Sequence, residues 1–254
     1  MKKIRKTFAI GDIHGHWLEL QKLMFKLLDP NNDILDPEQD RVVFLGDYVD
    51  GGPQVKDVID HLMQWEKEFP HWVFLYGNHE DLMLDALIYN KKRYGDFYLW
   101  WNQGGRATFK SYTDGMDAEE YEKAIMQPLD VIPKEHIDWL KDRPLYFEDD
   151  TYFYVHAGLM PDLSIEEHKK SLETGEYKDE LAQKLIWIRD EFIQELDFDW
   201  GKKIIYGHTT FGEPLTHTNK IGIDTMGRFG GKLTAIELPD ETFHQQDSLE
   251  DPSF

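Results

Sequence analysis

The chain is 254 residues long, 41% apolar and 14% aromatic, with a formal net charge of −21. This composition excludes a disordered chain, and the negative balance excludes a general nucleic-acid binder, which needs positive charge to displace phosphate counterions. Its apolar runs are short and broken by charge, which excludes a membrane-spanning segment, and with no cysteine it has neither a disulfide, a thiolate metal site nor a cysteine nucleophile.

Met1 to Lys6 is basic and leads at once into Thr7-Phe8-Ala9-Ile10-Gly11-Asp12. That is too short and too soon charged for a secretory segment, so the expected compartment is the cytoplasm. Thr7-Phe8-Ala9-Ile10 reads as a buried strand that ends in Gly11-Asp12-Ile13-His14. From Trp17 to Leu28, Leu20, Leu23, Met24, Leu27 and Leu28 recur at helical spacing. Val42-Val43-Phe44-Leu45 is the next strand and runs into Gly46-Asp47-Tyr48-Val49-Asp50. A helix over Val55 to Trp65 follows. Trp72-Val73-Phe74-Leu75-Tyr76 then precedes Gly77-Asn78-His79-Glu80, and Glu80 to Tyr89 has helical period. This β-α-β-α-β-α order predicts an α/β architecture.

From about 91 to 139 the pattern becomes a mainly helical, aromatic insertion that includes Trp100 and Trp101. These two rings could stack on a nucleobase or pack the insertion against the body, and packing is the commoner use. Strands resume at Tyr152-Phe153-Tyr154-Val155 before His156, and at Lys203-Ile204-Ile205-Tyr206 before Gly207-His208. Further short strands are expected over Ile221-Gly222-Ile223-Asp224 and from Lys232 to Leu238. No Gly/Ser-rich or Pro-rich linker divides the chain, so residues 1–238 read as one domain and 239–254 as a polar, flexible tail.

Each polar residue at these strand ends has an ordinary reading by itself. Asp12 and Asn78 could cap helices, Asp47 and Asp50 could serve turns, and His14, His156 and His208 could be loop or core histidines. Together they are a donor set. Carboxylate and amide oxygens with imidazole nitrogens suit manganese, iron or zinc rather than calcium. Two such metals sharing a carboxylate clamp a phosphoryl group and activate water. His61, His71, His136, His168 and His244 lack the strand-end setting and read as structural or surface residues.

Gly11-Asp12-Ile13-His14-Gly15, Gly46-Asp47-Tyr48-Val49-Asp50, Gly77-Asn78-His79-Glu80, His156-Ala157-Gly158 and Gly207-His208 resemble the ordered signature of the calcineurin-like metallophosphoesterases. Within that family the chain resembles the bacterial and phage PPP-type serine/threonine phosphatases, from about residue 7 to 238. The resemblance implies a central β-sandwich flanked by helices, αββα, and two divalent transition metals, manganese foremost. It implies that Asp12 and His14 bind one metal, that Asp47 bridges both, and that Asn78, His156 and His208 complete the second. It makes His79 the general acid, oriented by Asp50, and gives Asn78, His79 and Arg189 to substrate phosphate. The implied reaction is hydrolysis of a phosphate monoester of a phosphoprotein by a hydroxide held between the metals. The alternative is a dinucleoside polyphosphate hydrolase, and behind both stands a silent metal-binding regulatory protein. One departure is visible: the family's Asp-Arg-Gly reads Asp50-Gly51-Gly52 here, which removes a phosphate-gripping arginine. Arg106 is one candidate replacement and a surface helix residue is its plainer reading.

Overall fold

β-branched and aromatic residues crowd the short apolar runs, and these become strands. The computed structural model describes residues 4–89, 94–172, 180–225 and 230–249. In chain order the first half holds β1 (Thr7–Ile10), α1 (Trp17–Leu27), β2 (Arg41–Phe44), α2 (Val55–Glu68), β3 (Val73–Phe74) and α3 (Asn78–Leu84). The insertion follows as α4 (Tyr94–Trp100), α5 (Arg106–Tyr112), α6 (Ala118–Met126) and α7 (Lys134–Lys141). Its first expected residues, 91–93, lie outside the described residues. The second half holds β4 (Tyr146–Glu148), β5 (Tyr152–Val155), α8 (Ile165–Leu172), α9 (Glu180–Trp187), α10 (Asp190–Gln194), β6 (Lys203–Tyr206), β7 (Leu215–Thr216), β8 (Lys220–Gly222), β9 (Lys232–Leu238) and β10 (Thr242–Asp247).

The strands make two mixed five-stranded sheets, ordered β10-β9-β1-β2-β3 and β4-β5-β6-β8-β7. Alternation along each strand sorts its side chains between two cores. Ala9 and Val43 of one sheet meet Tyr154, Ile205 and Ile221 of the other in a dry inner layer. Phe8, Ile10, Val42 and Phe44 point the other way, to Leu20, Leu23, Val58 and Leu62 of α1 and α2. Phe153, Val155 and Ile204 likewise face Ala182, Leu185 and Phe192 of α9 and α10. Helix, sheet, sheet and helix are therefore stacked as the alternation requires. Among the described residues no helix is long and apolar enough to cross a membrane.

This stacking positions the site. β1, β2 and β3 run parallel, as do β5 and β6, so each group delivers its following residues to one end. Two bonds bring those two ends together: His156 Nδ1 donates to Leu45 O at 2.8 Å, and His208 N–H reaches the Asp12 carboxylate at 3.0 Å. Within the second sheet, Gly207 N–H donates to His156 O at 2.8 Å.

Two expectations need correction. The helix read over Glu80 to Tyr89 begins at Asn78, and its last turn, Asp85–Tyr89, is a widened π turn. The residues read as a loose tail include an edge strand: β10 pairs antiparallel with β9 from Thr242 to Asp247. Its polar composition hid it, yet an edge strand facing solvent needs little else. Phe243 packs against the inner core, His244 Nε2 bonds Glu237 at 3.0 Å, and Lys26 of α1 reaches Gln245 O at 2.9 Å. Residues 250–254 lie outside the described residues. Removing residues 240–254 should therefore cost about 1–2 kcal/mol in urea unfolding through lost Phe243 burial and the bare β9 edge. An unchanged midpoint would mean that β10 contributes nothing.

Candidate active site

Glu80, at the third position of α3, meets the free amides of a helix start and of the neighbouring loop. It is fully buried. Its Oε2 accepts the Asp47 and Gly77 N–H groups, each at 2.9 Å, and its Oε1 accepts those of Tyr48 at 2.8 Å and Val49 at 3.2 Å. One carboxylate thus clamps the loop after β2 to the loop after β3. Burial and the nearby Asp47 push it up to about 8, against the pull of the amides. The sequence marks Glu80 for this task only by its place three residues into a helix.

The clamp fixes an unusual backbone. His14, Asp47, Asp50 and His208 all take left-handed conformations, at φ 47°, 52°, 68° and 61°. Non-glycine residues hold such angles only where surrounding contacts impose them, and these four all belong to the site.

Asp47 lies at the centre. Its Oδ2 is 3.4 Å from His14 Nε2, and its Oδ1 is 3.4 Å from His156 Nε2. Two buried sets each gather their donor atoms within 4.8 Å: His14, Asp47 and His79, and Asp47, His156 and His208. Asp47 belongs to both. Asn78 joins the second, its Oδ1 lying 2.9 Å from His156 Nε2 and 2.7 Å from His208 Nδ1. Asp12 joins neither triplet; both its oxygens take the His208 N–H.

Burial alone would raise the Asp47 carboxyl, but His156, His79, His14 and His208 outweigh it and hold the group below the usual carboxylate range. Burial lowers His156, and it lowers His208 to about 2 with help from His156 and Arg189. Both shifts favour the neutral imidazole, the form that offers a lone pair. Burial, Asp224 and Asp47 raise Asp12 well above its ordinary value.

The residues fit metal ions on their own geometry. The His156 Nδ1 proton goes to Leu45 O, which leaves a bare Nε2 facing the Asn78 and Asp47 oxygens. His14 Nδ1 is likewise bonded to Val49 O at 3.1 Å, turning Nε2 to Asp47. His208 Nε2 is buried without a hydrogen-bond partner. Acceptors that face acceptors in a buried site call for a cation, and carbonyls behind the rings are the usual way to orient imidazole ligands.

Beside this cluster His79 Nδ1 bonds Asp50 Oδ2 at 2.8 Å, so the expected pair is in contact. A cleft of about 480 Å³ opens over His14, Asp47, Asn78, His79 and His208. Arg189 stands at its rim, with Nη1 anchored on His208 O at 2.9 Å. Leu82, Leu99 and Trp187 form an apolar wall, and Gln103, Thr210 and Asp224 line the rest. Trp187 is 37% exposed, and its ring meets His208 edge-on at 6.2 Å. Leu99, Gln103, Trp187 and Asp224 carried no role in the sequence reading. For Trp187 the signal was its place two residues before Arg189.

Three uncertain residues find their places. Trp100 is fully buried and donates to Asp50, so it packs and bonds rather than stacks on a ligand. Trp101 packs on Phe97 and Phe109. Arg106 is exposed at the start of α5 and does not line the cleft. Gly51 has φ 91°, a conformation that an arginine there would enter only with strain.

The family model described as calcineurin-like phosphoesterase matches residues 5–217. A curated relative from Bacillus cereus (strain ATCC 10987 / NRS 248), bis(5'-nucleosyl)-tetraphosphatase PrpE [asymmetrical], is 30% identical over 96% of this chain and 95% of its own. A solved structure provisionally described as a diadenosine tetraphosphatase aligns with TM-score 0.62 at 18% identity, covering 97% of this chain and 95% of that one. The cold-active protein-tyrosine phosphatase of a psychrophilic Shewanella aligns with TM-score 0.58 at 19% identity, covering 96% and 80%. At these identities the two structures show a shared fold.

The shared carboxylate gives a test by metal analysis after manganese reconstitution. His14→Asn and His208→Asn should each keep about half the bound metal, whereas Asp47→Asn should lose most of both ions. Two ions retained by Asp47→Asn would contradict the arrangement.

Proposed function

We infer, for a chain that belongs to the calcineurin-like phosphoesterases, that the cleft hydrolyses the phosphoanhydride chain of a dinucleoside polyphosphate. The chain is a hydrolase acting on phosphoesters, as its family and its tetraphosphatase relatives indicate. The substrate reading is carried by the cleft wall. Leu82, Leu99 and Trp187 stand beside His14, Asp47, Asn78 and His208, which gives a nucleobase a place next to its own phosphates. The near full-length similarity to the Bacillus cereus tetraphosphatase supports the same choice. This reverses the order of the two substrate expectations drawn from the sequence, where phosphoproteins stood first.

Asp47 with His14 on one side, and with Asn78, His156 and His208 on the other, would hold two divalent transition metals, with Asp12 completing the donors. When bound, the metals neutralise charge on the phosphoryl oxygens and lower the pKa of the attacking water. Manganese, iron and zinc all suit this donor set. Arg189, its guanidinium braced by the His208 carbonyl, grips a phosphoryl oxygen; such a charge-assisted bond contributes about 1.5–3 kcal/mol. His79 keeps Nδ1 on Asp50, which fixes the ring, and Nε2 is the atom that protonates the departing oxygen.

With manganese supplied, diadenosine tetraphosphate should be turned over with kcat/KM at least about tenfold above that of phosphoserine, phosphothreonine or phosphotyrosine peptides. Faster turnover of any of these peptides would restore the phosphoprotein reading. Arg189→Ala should cut kcat/KM about 10- to 100-fold on every substrate. Trp187→Ala should raise KM for the dinucleotide and leave p-nitrophenyl phosphate unaffected. An equal change on both substrates would remove Trp187 from base recognition.

A further inference from the structure

We propose that the helical insertion is the positioning device of the His79–Asp50 pair, acting through Thr108 and Trp100. The Thr108 hydroxyl donates to Asp50 Oδ1 at 2.6 Å and accepts the Asp50 backbone N–H at 2.9 Å. Trp100 Nε1–H donates to the same Oδ1 at 3.0 Å. Oδ1 is thereby occupied from behind, and Oδ2 is left to His79 Nδ1 at 2.8 Å. Asp50, Thr108 and Trp100 are all fully buried, so water does not compete for these bonds.

Residues 100, 104 and 108 follow one another at intervals of four along this segment, and all three touch the Asp50 loop. Gly104 O accepts the Gly51 N–H at 3.3 Å. Between α4 and α5 the chain kinks at Gly104, whose φ of 112° is non-helical, and across this kink residues 100, 104 and 108 all meet that loop. Gly105 is required at the contact, because a Cβ there would lie 2.4 Å from the Trp100 ring. The same segment presents Leu99 and Gln103 to the cleft. One element of the insertion therefore forms the substrate wall and, through neighbouring residues, fixes the orientation of the proton donor. Thr108 and Trp100 themselves act through Asp50 and are not among the residues lining the cleft.

The proposal rests on the assignment of His79 as general acid, and the experiment separates the two. Thr108→Val, Thr108→Ser, Trp100→Phe and His79→Asn are assayed with manganese on p-nitrophenyl phosphate, whose leaving group needs little protonation, and on an alkyl monoester, phosphoserine. Thr108→Val and Trp100→Phe should lower kcat on the alkyl ester about tenfold more than on the aryl ester, with KM within about twofold and metal content unchanged. Thr108→Ser keeps the hydroxyl and should keep the wild-type ratio. If His79→Asn is selective against the alkyl ester while Thr108→Val and Trp100→Phe slow both esters equally or not at all, the positioning role is overturned. If His79→Asn is itself unselective, the acid assignment falls, and the positioning role with it.

Discussion

A carboxylate removed from water keeps its charge only where opposite charge or donors replace the solvent. Asp47 is nearly inaccessible and is ringed by His14, His79, His156 and His208. Its own backbone N–H and those of Tyr48 and Val49 are held by Glu80. The rest of the active end follows from that arrangement. The left-handed angles of Asp47 and its neighbours, the carbonyls behind His14 and His156, and the helix start that delivers Glu80 all keep one carboxylate between two sets of imidazoles. A site with so many acceptors and so few protons is built for cations.

The sandwich and the insertion divide the work. Parallel strands from both sheets bring the two candidate metal-binding triplets to one end, and rigid strand ends suit groups that must not move. The insertion supplies residues beside and behind the site. Leu99 and Gln103 form cleft wall, while Thr108 and Trp100 stand behind Asp50. The family's arginine after Asp50 would have belonged to the rigid part. Here the chain takes φ 91° at Gly51, and the guanidinium of the site comes from Arg189, braced on His208.

The strand-end pattern made most of this end legible in the sequence, because a glycine-ended apolar run followed by Asp, Asn or His leaves a local trace. His14, Asp47, Asn78, His156 and His208 converge, and His79 meets Asp50. What escaped has no local trace. Glu80 acts through amides in another loop, and Thr108 reaches Asp50 across 58 positions of sequence. Trp187 and Leu99 become a wall only when α9 and the insertion meet over the cleft. β10 was missed because an edge strand can be almost wholly polar. The proposed substrate departs from the order that the motifs implied, because the motifs speak to the chemistry at the cluster around Asp47, whereas that proposal is argued from the cleft wall.

The central claim, two cation sites sharing Asp47, is tested most directly by electron paramagnetic resonance of the manganese-loaded protein. Ions about 3.5–4 Å apart across one carboxylate are expected to be spin-coupled and to give a broad multiline signal of a dinuclear pair. An isolated six-line manganese spectrum at full loading, unchanged as the metal ratio rises from one to two, would contradict the account.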